Sequence, residues 1–69
     1  MEEIRNYLDE LGITGVDVLG TYENITFVCE DKPTAITVRH SLTHFGDISF
    51  AGGAEVRRDG TVTLFGRGN

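Results

Sequence analysis

Any chemistry in this chain has to come from a short set of side chains. His40 and His44 stand four residues apart, and Cys29, Glu30 and Asp31 form one stretch of sulfur and carboxylate donors. A protein metal site wants three or four such donors converging at fixed geometry. The sequence offers no Cys-x-x-Cys and no His-Glu-x-x-His. The pattern around the histidines puts them on a strand or turn, where they read as ordinary structural residues. No metal and no cofactor is expected. Cys29 as a nucleophile would need a base and a lowered pKa. Glu30 and Asp31 would raise that pKa, so a buried structural thiol is expected instead. Ser41 and Ser49 lack the strand–turn–helix elbow that exposes a catalytic serine. Gly52-Gly53 is followed by neither lysine nor a helix start, and reads as a turn or bulge rather than a phosphate loop. Asn24-Ile25-Thr26 matches the glycosylation acceptor pattern, but no other signal points to secretion. The expectation is a protein that is not an enzyme.

Size and composition narrow the class further. Sixty-nine residues make one domain, 1–69, and a chain so short buries only about 60% of its unfolded surface. Apolar residues at 39% and charged residues at 25% are globular proportions. The single cysteine excludes an internal disulfide framework. The apolar runs fall well short of the roughly 20 residues that a membrane span requires. Met1-Glu2-Glu3-Ile4-Arg5 has neither the basic start nor the apolar centre of a signal peptide. A soluble, cytoplasmic protein with no membrane partner is expected.

Charge is the feature with functional content. The chain has 11 acidic and 6 basic residues, a net charge of −5. Residues 1–31 hold 8 acids against Arg5 alone, net −7, and residues 32–69 hold 5 bases against 3 acids, net +2. Such asymmetry bears on partners rather than on fold. Binding to DNA or RNA comes mostly from neutralised phosphates, so an acidic protein is a poor nucleic-acid binder. A basic protein is the better partner.

An amphipathic helix concentrates this charge. Ile4, Tyr7, Leu8 and Leu11 recur at helical spacing, and Gly12 follows where a helix ends. Glu2, Glu3, Asn6, Asp9 and Glu10 occupy the opposite side. Glu2 and Glu3 agree with the helix dipole. Asp9 and Glu10 oppose it in the last turn, each at about a few tenths of a kcal/mol. A solubilising face would explain the acids as a group. A basic partner would also explain why the unfavourable pair is kept. Glu3 and Glu10 lie about 10 Å apart along the helix, and carboxylates so spaced suit arginine sites that otherwise hold phosphates.

In these respects the chain resembles the small acidic proteins that phages use against host machinery: anti-CRISPR proteins and inhibitors of nucleoid-associated proteins. The resemblance lies in one small domain, the lack of catalytic residues, and an excess of carboxylates such as Glu2, Glu3, Asp9, Glu10, Asp17, Glu30 and Asp31. It implies a DNA-mimic inhibitor in which these seven residues meet a basic, nucleic-acid-binding host protein. The +2 second part departs from the type and favours a single acidic face. Two other readings stand beside it. One is a small structural or regulatory interaction module. The other is a weak nucleic-acid binder using strand arginines Arg39, Arg57, Arg58 and Arg67 with Phe65.

The elements that would position these groups follow from periodicity. A helix is expected at about 2–11. Beyond it, period-two runs predict strands at Val16–Leu19, Ile25–Cys29, Thr34–Arg39 and Asp47–Ala51. Asp31-Lys32-Pro33 reads as a turn, and residues 41–45 fit either a continued strand or a helical turn packing Leu42 on Phe45. Ala54–Arg58 and Thr61–Phe65 form a hairpin around Asp59-Gly60, followed by a frayed tail, Gly66-Arg67-Gly68-Asn69. The fold class is α+β: one N-terminal helix packed on a meandering antiparallel sheet of four to six strands. Its expected core is Ile4, Leu8, Leu11, Val18, Phe27, Ile36, Val38, Ile48, Phe50, Val56, Val62 and Leu64. Self-pairing of a free sheet edge would allow a homodimer.

Overall fold

The computed structural model describes residues 1–45 and 47–69, apart from the side chain of Phe45. The elements are α1 (Glu2–Glu10), β1 (Val16–Thr21), β2 (Asn24–Cys29), α2 (Lys32–Phe45), β3 (Ile48–Phe50), β4 (Glu55–Val56) and β5 (Val62–Gly68). This is the α+β class with an N-terminal helix and an antiparallel sheet of five strands, and it contains a second helix. The strand order is β1-β2-β5-β3, with β4 also paired to β5. β2 and β3 both run antiparallel to β5 and therefore parallel to each other. That arrangement requires a crossover between them, and α2 supplies it.

The strand expected at Thr34–Arg39 is the first half of α2. Asp31 caps the helix: its carboxylate accepts the Thr34 N–H at 2.9 Å and its carbonyl accepts the Ala35 N–H at 3.2 Å. Pro33 sits in the first turn, where the missing N–H costs nothing, so the expected turn is a helix start. Ala35, Val38 and Leu42 then recur at helical spacing, and all three are buried. Ile36, expected inward beside Val38, points outward and is 62% exposed. Residues 41–45 continue the helix. The expected packing of Leu42 on Phe45 lies outside the described side chains.

The core occupies one face of the sheet. Ile4 and Leu8 of α1 and Ala35, Val38 and Leu42 of α2 join Val18, Ile25, Phe27, Cys29, Ile48, Val62 and Leu64. Strand alternation puts those strand residues on one side, so both helices cover that side. Leu11 and Val56, expected inside, are exposed, and Phe50 is half-buried with its ring 5.5 Å from that of Phe27. Ile25, Cys29, Ala35 and Leu42 take their places.

The C-terminal residues are not a frayed tail. β5 runs to Gly68, with Gly66 opposite Ile25 on one side and Phe50 on the other. Gly68 donates its N–H to the Tyr22 carbonyl at 2.7 Å, and Asn69 donates to the Asp47 carbonyl at 2.9 Å. A side chain on Gly68 would collide with the Tyr22 ring, which lies directly against it. Glycine is here because neighbours occupy the space.

Two truncations separate the helix at 32–45 from a strand. Leu42→Ala should destabilise the protein by about 2–5 kcal/mol, as buried leucines do. Ile36→Ala should stay within about 0.5 kcal/mol. Urea unfolding of both variants checks this, and a large loss at Ile36 would contradict the helix.

Candidate functional site

The structure divides the seven expected partner-binding carboxylates into groups. Glu2, Glu3, Asp9 and Glu10 are all exposed along α1, whose last turn contains no basic residue. The helix is held to the sheet by Ile4 and Leu8 beneath and by Arg5 at its side. The Arg5 guanidinium donates to the Val18 carbonyl at 2.6 Å. Thr21 and Asn24 pair across a two-residue loop, so Val18, opposite Phe27, turns its backbone polar groups outward from the β1–β2 ladder. Arg5 therefore occupies an edge carbonyl that self-pairing of β1 would use.

The other carboxylates gather where β1 begins and β2 ends. Val16 pairs with Cys29, and Glu30 donates its N–H to the Gly15 carbonyl at 2.8 Å. The Glu30 carboxylate lies over Gly15, in the space a Cβ there would need. Asp17 and Glu30 share the sheet face away from the helices, as diagonal neighbours. Two shallow clefts meet at Gly15 and Val16, one bordered by Asp9 and the other by Asp17 and Glu30. Asp9, Asp17 and Glu30 thus border one continuous piece of surface. Glu2 and Glu3 lie at the far end of α1. Asp31 is at the near end, but its carboxylate is engaged as the α2 cap. The Thr34 hydrogen bonds hold its carboxyl below the usual range.

The charge asymmetry along the chain does not become two separate halves in space. The β4–β5 hairpin extends past the Cys29–Val62 pair, so Arg57, Arg58 and Asp59 project near the Asp17–Glu30 end. Asp59 closes the hairpin by accepting from the Thr61 N–H at 2.9 Å and its hydroxyl at 2.7 Å. These hydrogen bonds, with Arg57 nearby, lower its carboxyl pKa. Arg39 is on α2 rather than on a strand, with its guanidinium 5.8 Å from the Phe50 ring centre and donating to the Ala51 carbonyl at 3.4 Å. Arg67 and Phe65 point to the open sheet face, where a shallow cleft of about 300 Å³ also touches Asn24 and Ser49. Of the arginines expected on strands, only Arg67 is on one: Arg39 is on α2, and Arg57 and Arg58 are in the turn between β4 and β5.

His40 and His44 are on α2, not on a strand or turn. Both are exposed, with ring centres 4.4 Å apart. Among the described residues no group of three or more His, Cys, Asp or Glu side chains is placed to hold a metal ion. Cys29 is fully buried. Burial pushes its thiol up to about 11, and the Asp31 charge adds to the effect. No helix among the described residues is long and apolar enough to cross a membrane. No protein-family model matches the chain, and neither a curated protein nor a solved structure matches it.

The Cys29 thiol sets one pH limit. Its folded pKa lies above that of an unfolded thiol, so folding favours the protonated form. The associated stability is complete below the unfolded pKa, near 9, and is lost as pH rises through about 11. Thermal melts from pH 8 to 11 should show this decline, and Cys29→Ala or Cys29→Ser should flatten it. An equal decline without the thiol would contradict the assignment.

Proposed function

We propose that this chain is a non-enzymatic inhibitor, of the anti-CRISPR or DNA-mimic type, that binds a basic host protein and fills a site meant for nucleic acid. The observation that carries the proposal is the outer surface of α1: Glu2, Glu3, Asp9 and Glu10 exposed, with no base in the last turn. The dipole-opposed pair Asp9 and Glu10 is locally unfavourable, and a basic partner supplies the compensation that the helix lacks. Glu30 and Asp17 extend the acidic surface around Gly15. Asp31 contributes charge at that end while it caps α2. The partner is a protein rather than nucleic acid, and the setting is cytoplasmic.

A second reading, a small interaction module or homodimer, draws on the open sheet face. Leu19 is 51% exposed and Phe65 38% exposed. They flank Thr26 in one cross-strand row, and an uncovered apolar row of this kind suits protein contact.

Charge reversal tests the first reading. Asp9→Lys with Glu10→Lys should leave melting unchanged or slightly raised, since cations are favoured in the last helical turn. The same pair should weaken capture of a basic nucleic-acid-binding host protein by about tenfold or more, because arginines on that partner lose their carboxylates. Arg57→Glu with Arg58→Glu should leave capture intact or improve it. If instead the arginine variant lost binding and the helix variant kept it, the acidic-face reading would be wrong. Leu19→Asp with Phe65→Asp tests the second reading through sedimentation.

A further inference from the structure

We propose that His40 and His44 form a two-point binding site for a divalent transition-metal ion, such as Ni²⁺ or Zn²⁺, on the exposed side of α2. The spacing is that of residues four apart on one helix, which stack one above the other on the same face. The histidine rings stand with centres 4.4 Å apart and planes inclined at 52°. An imidazole nitrogen bonds such an ion at about 2.0–2.1 Å, which puts the ring centre about 3.2 Å from the metal. Two rings in adjacent coordination positions then have centres about 4.5–5.2 Å apart. The observed separation of 4.4 Å lies just below this range, so the rings move slightly apart when they chelate an ion.

The surroundings suit a surface chelate. Ile36, Thr43 and the two histidines line a shallow depression together with Arg39. Arg39 is the one fixed positive charge among them. Its guanidinium is drawn away toward the sheet edge, over Phe50 and onto the Ala51 carbonyl. Imidazole is a borderline ligand suited to zinc, copper and nickel rather than to magnesium or calcium. Two protein donors leave further coordination positions open, to be filled by water or by a donor from another molecule. The site is distinct from the acidic surface of α1 and from the fold's own requirements. The core beneath α2 is Ala35, Val38 and Leu42, and none of these is a metal ligand.

Binding to the folded helix but not to the unfolded chain stabilises the fold by mass action. NiCl₂ or ZnCl₂ at about five times the dissociation constant should raise the melting temperature by about 4–8 °C. Lower pH should weaken the effect, since protons compete for the imidazole nitrogens. His40→Ala and His44→Ala should each abolish the rise while leaving the metal-free melt near that of the wild type. In NMR spectra, Ni²⁺ should perturb amides around residues 36–44. No rise in the wild type would overturn the proposal. So would a rise that survives both substitutions, or Ni²⁺ perturbations centred on the α1 carboxylates.

Discussion

The structure depends on β5 as an inner strand. The last stretch of the chain must fit between β2 and the β3–β4 edge and hydrogen-bond on both sides. Until it does, β1 and β2 are an isolated hairpin, which is marginal in water, and α2 has no sheet of sufficient width beneath it. Val62 and Leu64 then join Phe27, Val38 and Leu42 in one core. The constraint also explains the composition of the strand's second half. Gly66 lies against Ile48 and Phe50, and Gly68 lies against the Tyr22 ring, so a side chain at either position would force a neighbour to shift. In so small a domain, closure by the final strand makes the fold cooperative along its whole length.

That closure also arranges the surface. Packing both helices on one sheet face leaves the other face open, with Leu19, Thr26 and Phe65 across its middle. It brings the end of α1, the start of β1 and the end of β2 together around Gly15, where Asp9, Asp17 and Glu30 border one surface. The same closure carries the Arg57–Asp59 hairpin to that end. The acidic surface around Gly15 therefore has bases at its margin. On α1, Glu2, Glu3, Asp9 and Glu10 are exposed, and the one base, Arg5, is bonded to the Val18 carbonyl at the sheet edge.

How much of this was legible in the sequence varies by element. α1 was readable because Ile4, Tyr7 and Leu8 mark its buried side, and the β4–β5 hairpin because Asp59-Gly60 demands a tight turn. β1 and β2 were readable from alternation. α2 was obscured by Thr34, Ile36, Thr37, Val38 and Thr43, whose β-branched side chains suit strands. The countersignal was present in Asp31 as a cap, Pro33 in the first turn, and Ala35, Val38 and Leu42 at helical spacing. Gly66 and Gly68 looked like a flexible end because the sequence does not show what lies against them. For the site, exposure of the α1 carboxylates followed directly from the helix. The capping role of Asp31 and the stacking of His40 on His44 both required α2 and were lost with it.

Hydrogen exchange of the C-terminal amides measures the central constraint most directly. Opening β5 disrupts the sheet on both sides, so its amides should exchange only through near-global unfolding. Leu64, Gly66 and Gly68 should be protected to the same degree as Phe27 and Val28 in β2. Exchange of these three amides at the rate of an unstructured chain, with β2 still protected, would contradict the closing role of β5.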